Sequence, residues 1–138
     1  MTELRRTAWG MAEEAEREIE SLSVEETHAE LEEGRATLLD IRDVRELWLE
    51  GTIAGAKHAP RGMLEFWADP DTKYHRDYFG PERRYVLFCN EAGRSALAAK
   101  RLAEMGFEDV AHLSGGFTAW QEAGYPVETV EQRDYESR

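Results

Sequence analysis

The sequence predicts an α/β fold: a small parallel sheet with helices on both faces, plus a helical extension at the N-terminus. Apolar runs typical of strands alternate with segments of helical periodicity, which is the pattern of a parallel sheet. The clearest strand covers residues 85–88, and the clearest helix covers residues 95–105 and ends at Gly106. The 138 residues fit one domain that is large enough to bury its own core.

The first segment, residues 1–18, is charged but carries a narrow apolar stripe. The apolar residues that recur there and just beyond at helical spacing are Ala8, Ala12, Ala15, Ile19 and Leu22. We expect an amphipathic helix that packs on the main body or joins two subunits in a homodimer. Residues 19–128 then form the main domain, and residues 129–138 form a polar C-terminal tail.

Breakers and periodicity indicate the elements of the main domain. Ser23 and Glu26 form a capping-box pattern at the start of a helix that runs to about residue 33. The other elements expected are strands at 37–41, 56–59 and 109–113 and helices at 44–50 and 117–123. Residues 61–83 are irregular and predict a long structured loop, in which Trp67 is the tryptophan expected to wall a pocket.

Composition excludes several classes of function. The net charge of −12 disfavours nucleic acid as a partner. No apolar run approaches the roughly 18–20 residues of a membrane helix, and the N-terminus lacks the apolar core of a secretory signal, so a cytoplasmic protein is expected. A lone cysteine allows no internal disulfide, and the four histidines lack ligand spacing, so no metal site is expected.

Cys89 directly follows the clearest strand, and a short loop leads from it into the clearest helix. Ligands of parallel sheets bind beyond the carboxyl ends of the strands. The loop N–H groups and the helix N-terminus favour an anion there. A cysteine at this point is expected to be a nucleophilic thiolate, and the same amides would stabilise a persulfide. Gly93 is expected to let the loop turn tightly.

The pattern Cys-x4-Arg-Ser, from Cys89 to Ser95, resembles the active-site loop of rhodanese-family sulfurtransferases. Three further segments resemble motifs of that family in the same order. They are Leu39-Asp40-Ile41-Arg42-Asp43, the stretch from Gly51 to Pro60, and the stretch from Leu113 through Gly115-Gly116 and Trp120 to Val127. Thr52 and Ala54 replace a His and a Pro that are usual in the family, and Ala92 stands where glycine is frequent.

The resemblance implies an enzyme that moves sulfane sulfur from a donor such as thiosulfate to cyanide or a thiol through a persulfide on the catalytic Cys89. It implies no metal or organic cofactor. With no second cysteine, the acceptor must come from outside the chain. The residues expected to bind substrate are Asn90, Glu91, Ala92, Gly93, Arg94, Ser95 and Arg61.

Asp40 and Arg42 are expected to support the loop, either by bracing it or by pairing with each other. Arg94 either orients an anionic donor with its planar fork or faces outward to pair with an acid.

Two rival functions stand beside sulfur transfer. One is a phosphatase of related fold, which the loop length disfavours because such enzymes have one more residue between cysteine and arginine. The other is a non-catalytic module that senses sulfur species in the same pocket.

Overall fold

The structure is a computed structural model that describes residues 3–132. Its helices are α1 (Ala8–Glu18), α2 (Val24–Glu32), α3 (Val44–Glu50), α4 (Leu64–Ala68), α5 (Gly93–Met105) and α6 (Gly116–Glu122). Its strands are β1 (Glu20–Leu22), β2 (Thr37–Asp40), β3 (Thr52–Ile53), β4 (Lys57–His58), β5 (Arg84–Phe88), β6 (Asp109–Leu113) and β7 (Val127–Glu128). Residues 133–138 of the expected polar tail lie outside the described part.

Five strands form one parallel sheet in the order β1-β6-β5-β2-β4, which confirms the predicted fold class. The central strand is β5, where Tyr85 pairs with Thr37 of β2 on one side and with Val110 of β6 on the other. Strands β3 and β7 pair separately as a small antiparallel ribbon. Because the five strands run parallel, their carboxyl ends lie along one edge, and the residue after β5 lies near its middle.

Alternating side chains of β5 fill two cores, one on each face of the sheet. Tyr85 and Leu87 face the core that α4 and α5 cover. Val86 and Phe88 face the opposite core, where α6 contributes Phe117. Burial on both faces explains why this strand is apolar throughout.

Helix α1 packs against α5 of the same chain. Ala12 and Ala15 are fully buried in that contact, as the apolar stripe predicts. The expectation that Leu22 continues the helical stripe is wrong, because the helix ends at Glu18 and Leu22 lies in β1. The homodimer through this helix stays a prediction.

The segment 61–83 contains more regular structure than its sequence indicates. A 3-10 turn, Arg61–Met63, leads directly into α4, and both are too short for a helical period to be recognised. The capping box of Ser23 and Glu26 is present as predicted. Within residues 3–132, no helix has the length and apolarity needed to cross a membrane.

Candidate active site

Cys89 is the first residue after β5 and is almost fully buried, with 2% of its surface exposed. The loop that follows is held from one side by the start of α6. The carbonyl of Cys89 accepts a hydrogen bond from the amide of Phe117 at 2.8 Å, and that of Asn90 accepts from Thr118 at 3.1 Å. These two bonds fix the direction of the loop backbone immediately after the thiol.

The fixed carbonyls determine where the loop amides point. In a trans peptide the C=O and N–H groups point in opposite directions, so the amides of Asn90 and Glu91 point away from α6. The backbone amides of residues 90–92 have no hydrogen-bond partner within the described chain. The first turn of α5 adds further N–H groups without helical partners. The loop therefore has free donors for an anion beside Cys89.

Gly116 allows α6 to lie this close to the loop. A Cβ built on Gly116 would lie 2.6 Å from the carbonyl oxygens of both Cys89 and Asn90, and the residue has a φ of +60°. Both observations require glycine. Gly116, which belongs to the last of the family-like motifs, therefore also shapes the cysteine loop.

The expected supporting pair, Asp40 and Arg42, is wholly buried. Arg42 donates from Nε and Nη2 to Asp40, at 3.0 and 2.8 Å, and from Nη2 to the carbonyl of Gly51 at 2.7 Å. Its Nη1 donates to Glu50 at 3.1 Å and to Asn90 Oδ1 at 2.9 Å. Both roles considered from sequence are therefore present, since Arg42 pairs with Asp40 and also braces the loop at Asn90. Full use of the guanidinium donors explains how the charge tolerates burial.

Glu46 of α3 links the other side of Asn90 to Arg94. It accepts from Asn90 Nδ2 at 2.9 Å and from both terminal nitrogens of Arg94, at 2.7 and 3.0 Å. The hydrogen bonds from Arg94 lower the pKa of Glu46, and those to Glu46 raise the pKa of Arg94. Of the two roles considered for Arg94, the structure shows the pairing with an acid, which is Glu46.

Ser95 lies next to the thiol on the inner side of α5. The Sγ atom of Cys89 is 3.6 Å from Ser95 Oγ, which is in turn 3.0 Å from Nδ1 of His112. His112 is fully buried in β6. Sequence reasoning treated the histidines as scattered and missed it, although a titratable side chain inside an apolar strand is a recognisable signal.

A cavity of about 410 Å³ opens beside Cys89. Its lining residues are Ala8, Trp9, Ala12, Cys89, Asn90, Glu91, Gly93, Arg94 and Leu97. The tryptophan in this wall is Trp9 of α1, and not Trp67, which packs against the core and carries Arg76 over its ring at 4.3 Å.

Gly93 has a role other than the one expected for it. Its φ is not positive, but a Cβ there would lie 2.9 Å from the ring of Trp9. The glycine therefore provides space for α1 rather than a tight turn.

The structure does not bring every expected substrate-binding residue to this cavity. Arg61 is outside the lining and donates to Glu65 at 2.8 Å. Ala92 is half-buried in the loop, while Ser95 is buried beneath it. Glu91 lies in the wall with its side chain exposed to solvent. Glu91 therefore carries its charge in water.

A parallel α/β sheet with one cysteine at its carboxyl edge, followed after four residues by Arg-Ser, defines the rhodanese class. The family model of the rhodanese-like domain matches residues 23–123. The chain therefore belongs to the rhodanese-like domain family, as the sequence motifs predict.

Relatives of known name place the chain in a sulfurtransferase family. It is 34% identical to thiosulfate sulfurtransferase GlpE of Ectopseudomonas mendocina over 102 residues, which is 74% of this chain and 84% of that protein. It resembles the polysulfide-sulfur transferase homodimer of Wolinella succinogenes with a TM-score of 0.70 and 32% identity, covering 91% of this chain and 89% of that one.

A second similar structure is described differently. It is a Rhodopseudomonas palustris protein of unknown function, described as a possible tyrosine phosphatase. The TM-score is 0.87 with 40% identity, and the match covers 93% of this chain and 98% of that one.

Proposed function

We propose that the chain is a sulfurtransferase that carries sulfane sulfur as a persulfide on Cys89. The observation that carries this proposal is the set of unpartnered loop amides beside a buried cysteine. A persulfide anion needs hydrogen-bond donors when it is removed from water, and the amides of residues 90–92 are available. The similarity to named thiosulfate and polysulfide transferases supports the same chemistry.

The reaction has two displacement steps. The Cys89 thiolate attacks the outer sulfur of a donor such as thiosulfate, a new S–S bond forms, and the donor's S–S bond breaks as sulfite leaves with the electron pair. A nucleophile, either cyanide or an external thiolate, then attacks the outer sulfur of the persulfide. Thiocyanate or a new persulfide leaves, and the Cys89 thiolate is restored. No electrons are exchanged with a cofactor in either step.

The intact mass of the protein tests this proposal. Incubation with thiosulfate is expected to add the mass of one sulfur atom, and a cyanide chase is expected to remove it and release thiocyanate. Cys89→Ser is the control, because a hydroxyl fills nearly the same volume but cannot form the persulfide. Failure of the wild type to gain sulfur, or full transfer by Cys89→Ser, contradicts the proposal.

The two rivals are separated by the same samples. A non-catalytic sensor would gain sulfur but would not turn over with an acceptor. A phosphatase would hydrolyse an aryl phosphate. This assay is included because the similar R. palustris protein is described as a possible tyrosine phosphatase. We expect negligible phosphate hydrolysis, because four residues between Cys89 and Arg94 form a small loop and the Arg94 fork is already bound by Glu46.

A further inference from the structure

We propose that Ser95, His112 and Glu16 form a relay that takes the thiol proton from Cys89. The four groups come from four different elements, namely the end of β5, α5, β6 and α1. Their contacts are continuous: 3.6 Å from Cys89 Sγ to Ser95 Oγ, 3.0 Å from Oγ to His112 Nδ1, and 3.0 Å from His112 Nε2 to Glu16. This proposal rests on the proposed function of Cys89 as the nucleophile.

The surroundings of His112 determine its tautomer. Its Nε2 atom contacts the Glu16 carboxylate and lies 3.1 Å from Ser21 Oγ. A carboxylate can only accept a hydrogen bond, so the ring proton lies on Nε2. The lone pair on Nδ1 then faces the Ser95 hydroxyl at 3.0 Å. The single hydroxyl proton has two acceptors, Nδ1 of His112 and the carbonyl of Ala92, to which Oγ donates at 3.1 Å, and the relay uses the first.

The proposed relay moves two protons, one from Cys89 to Ser95 and one from Ser95 to His112. The thiol proton passes to Ser95 Oγ, and the hydroxyl proton of Ser95 passes to Nδ1 of His112. The products are a thiolate on Cys89 and an imidazolium that the Glu16 carboxylate neutralises. Ser95 is a catalytic residue because it contacts the reacting sulfur, whereas His112 and Glu16 are positioning residues that act through it.

Burial and Glu16 act on the protonation of His112 in opposite directions. Burial lowers the pKa of His112, while the charge and hydrogen bond of Glu16 act to raise it. Because burial opposes a charge on the ring, the imidazolium of the relay depends on the Glu16 carboxylate beside it. Glu16 is the charged group that contacts the ring among residues 3–132, and the other contacts, from β1 and α5, are hydroxyls.

Alkylation of Cys89 by iodoacetamide tests the relay without requiring sulfur transfer. Iodoacetamide reacts with the thiolate form of cysteine. A thiolate paired with an imidazolium remains populated at pH values too acidic for an isolated thiol to ionise. The plot of the wild-type alkylation rate against pH should therefore show a shoulder at acidic pH. His112→Asn should lose the shoulder and fall about tenfold per pH unit there, as a single uncoupled thiol does. Glu16→Gln should lower the shoulder several-fold, because the imidazolium loses its counter-charge.

Glu18→Gln is the matched control, since Glu18 lies on the same helix but pairs with Lys100 at 2.9 Å. It should leave the profile unchanged. Glu16→Gln is the decisive variant, because Glu16 is 39% exposed, whereas a substitution at the fully buried His112 also alters the core. The relay is wrong if Glu16→Gln and the wild type have the same profile. If the protein forms the persulfide but its alkylation profile has no shoulder, the relay is wrong and the proposed function stands. If the profile has the shoulder but no persulfide forms, the proposed function is wrong and the relay stands.

Separate observations on the cavity wall define the class of sulfur donor. Trp9, Ala12 and Leu97 make one side of the cavity apolar. The charged residues in the lining are Glu91 and Arg94, and Glu46 neutralises the latter. We infer that the site selects donors with an apolar body and at most one negative charge over the small dianion thiosulfate. This inference also rests on the proposed function.

A pair of donors tests the inference. Benzenethiosulfonate carries one charge and a phenyl ring, and it transfers its outer sulfur while benzenesulfinate leaves with the electron pair. Its kcat/KM should exceed that of thiosulfate by about tenfold, as expected for burial of an aromatic ring. Trp9→Ala should remove most of this preference. Phe66→Ala, a change at a 52% exposed aromatic outside the lining, should keep it.

The possible results are distinct. Equal or greater efficiency with thiosulfate, or an unchanged preference in Trp9→Ala, overturns the inference about the donor. Failure of both donors to load Cys89 instead overturns the proposed function.

Discussion

Glu46 accepts two hydrogen bonds from Arg94, at 2.7 and 3.0 Å, and holds its guanidinium at the rim of the cysteine cavity. The same carboxylate accepts from Asn90, so one side chain of α3 restrains both ends of the loop. Because Glu46 occupies the guanidinium donors of Arg94 and neutralises its charge, Arg94 attracts an incoming dianion only weakly.

Replacing Glu46 by glutamine should make Arg94 available to anions. The amide can still cap α3 as a capping-box residue, but it no longer neutralises the guanidinium. We expect kcat/KM for thiosulfate to rise roughly fivefold, which corresponds to about 1 kcal/mol of added attraction in a solvated site. Glu65→Gln, which removes a similar pairing with Arg61 outside the cavity, should have no effect. A lower or unchanged kcat/KM in a folded Glu46→Gln protein would show that Arg94 does not meet the donor.

The contact of Gly93 with Trp9 predicts a strong coupling between two substitutions. Gly93→Ala should cost about 1–3 kcal/mol of unfolding free energy, since its Cβ would overpack against the indole. In a Trp9→Ala background the same change should cost almost nothing. Urea unfolding of the two single variants and the double variant completes the cycle. Additive effects would mean that α1 does not lie on the loop as described.

Gly116 and Gly124 both have positive φ values, +60° and +78°, but their surroundings differ. A Cβ at Gly116 would meet the carbonyls of the cysteine loop, whereas nothing lies within 4 Å of one at Gly124. Gly124→Ala should cost about 1 kcal/mol for the backbone conformation alone. Gly116→Ala should cost more than twice as much and should also slow alkylation of Cys89. Equal losses in thermal unfolding would argue against the close approach of α6.

Glu30 and Arg84 form a nearly buried pair, with two hydrogen bonds at 2.6 and 2.7 Å. These hydrogen bonds lower the pKa of Glu30 below its ordinary 4.5. A carboxyl whose pKa is lowered in the folded state stabilises the fold above its unfolded pKa, and this contribution disappears as the pH falls through the folded pKa. The difference in unfolding free energy between wild type and Glu30→Gln should therefore be greatest above about pH 5 and shrink in acid.

Chemical denaturation at a series of pH values measures this difference. Glu82→Gln, at an exposed loop position, should give no such trend. A difference that stays constant down to pH 3 would mean that Glu30 gains nothing from its ionised form.

Much of the fold follows from local sequence signals. The runs that form β2, β5 and β6 are apolar because both faces of the sheet are covered, so their alternation with helices indicates the class. The elements that were missed, β1, β3, β7 and α4, contain two to five residues each. In so few residues neither the helical period of about 3.6 nor the strand period of two can be recognised, and contacts with distant parts of the chain decide the conformation.

The candidate site divides in a similar way. Cys89 and Ser95 are only six positions apart, at the two ends of the turn from β5 into α5, so a linear pattern identifies them together. Trp9 reaches the cavity and Glu16 reaches His112 only because α1 docks on α5, and no spacing in the sequence records that contact. Arg61 shows the opposite error, since it was expected to bind substrate but lies outside the lining of the cavity and pairs with Glu65.

The match to the family begins at residue 23, after the end of α1. Yet α1 supplies the indole in the cavity wall and the carboxylate that contacts His112. Part of the cavity wall and one contact of His112 therefore come from a helix that lies outside the family match, while the cysteine loop itself lies within it. From the proposed role of Trp9, we expect two relatives with identical cysteine loops but different first helices to differ in their preferred sulfur donor, and we expect exchange of the helix to exchange that preference.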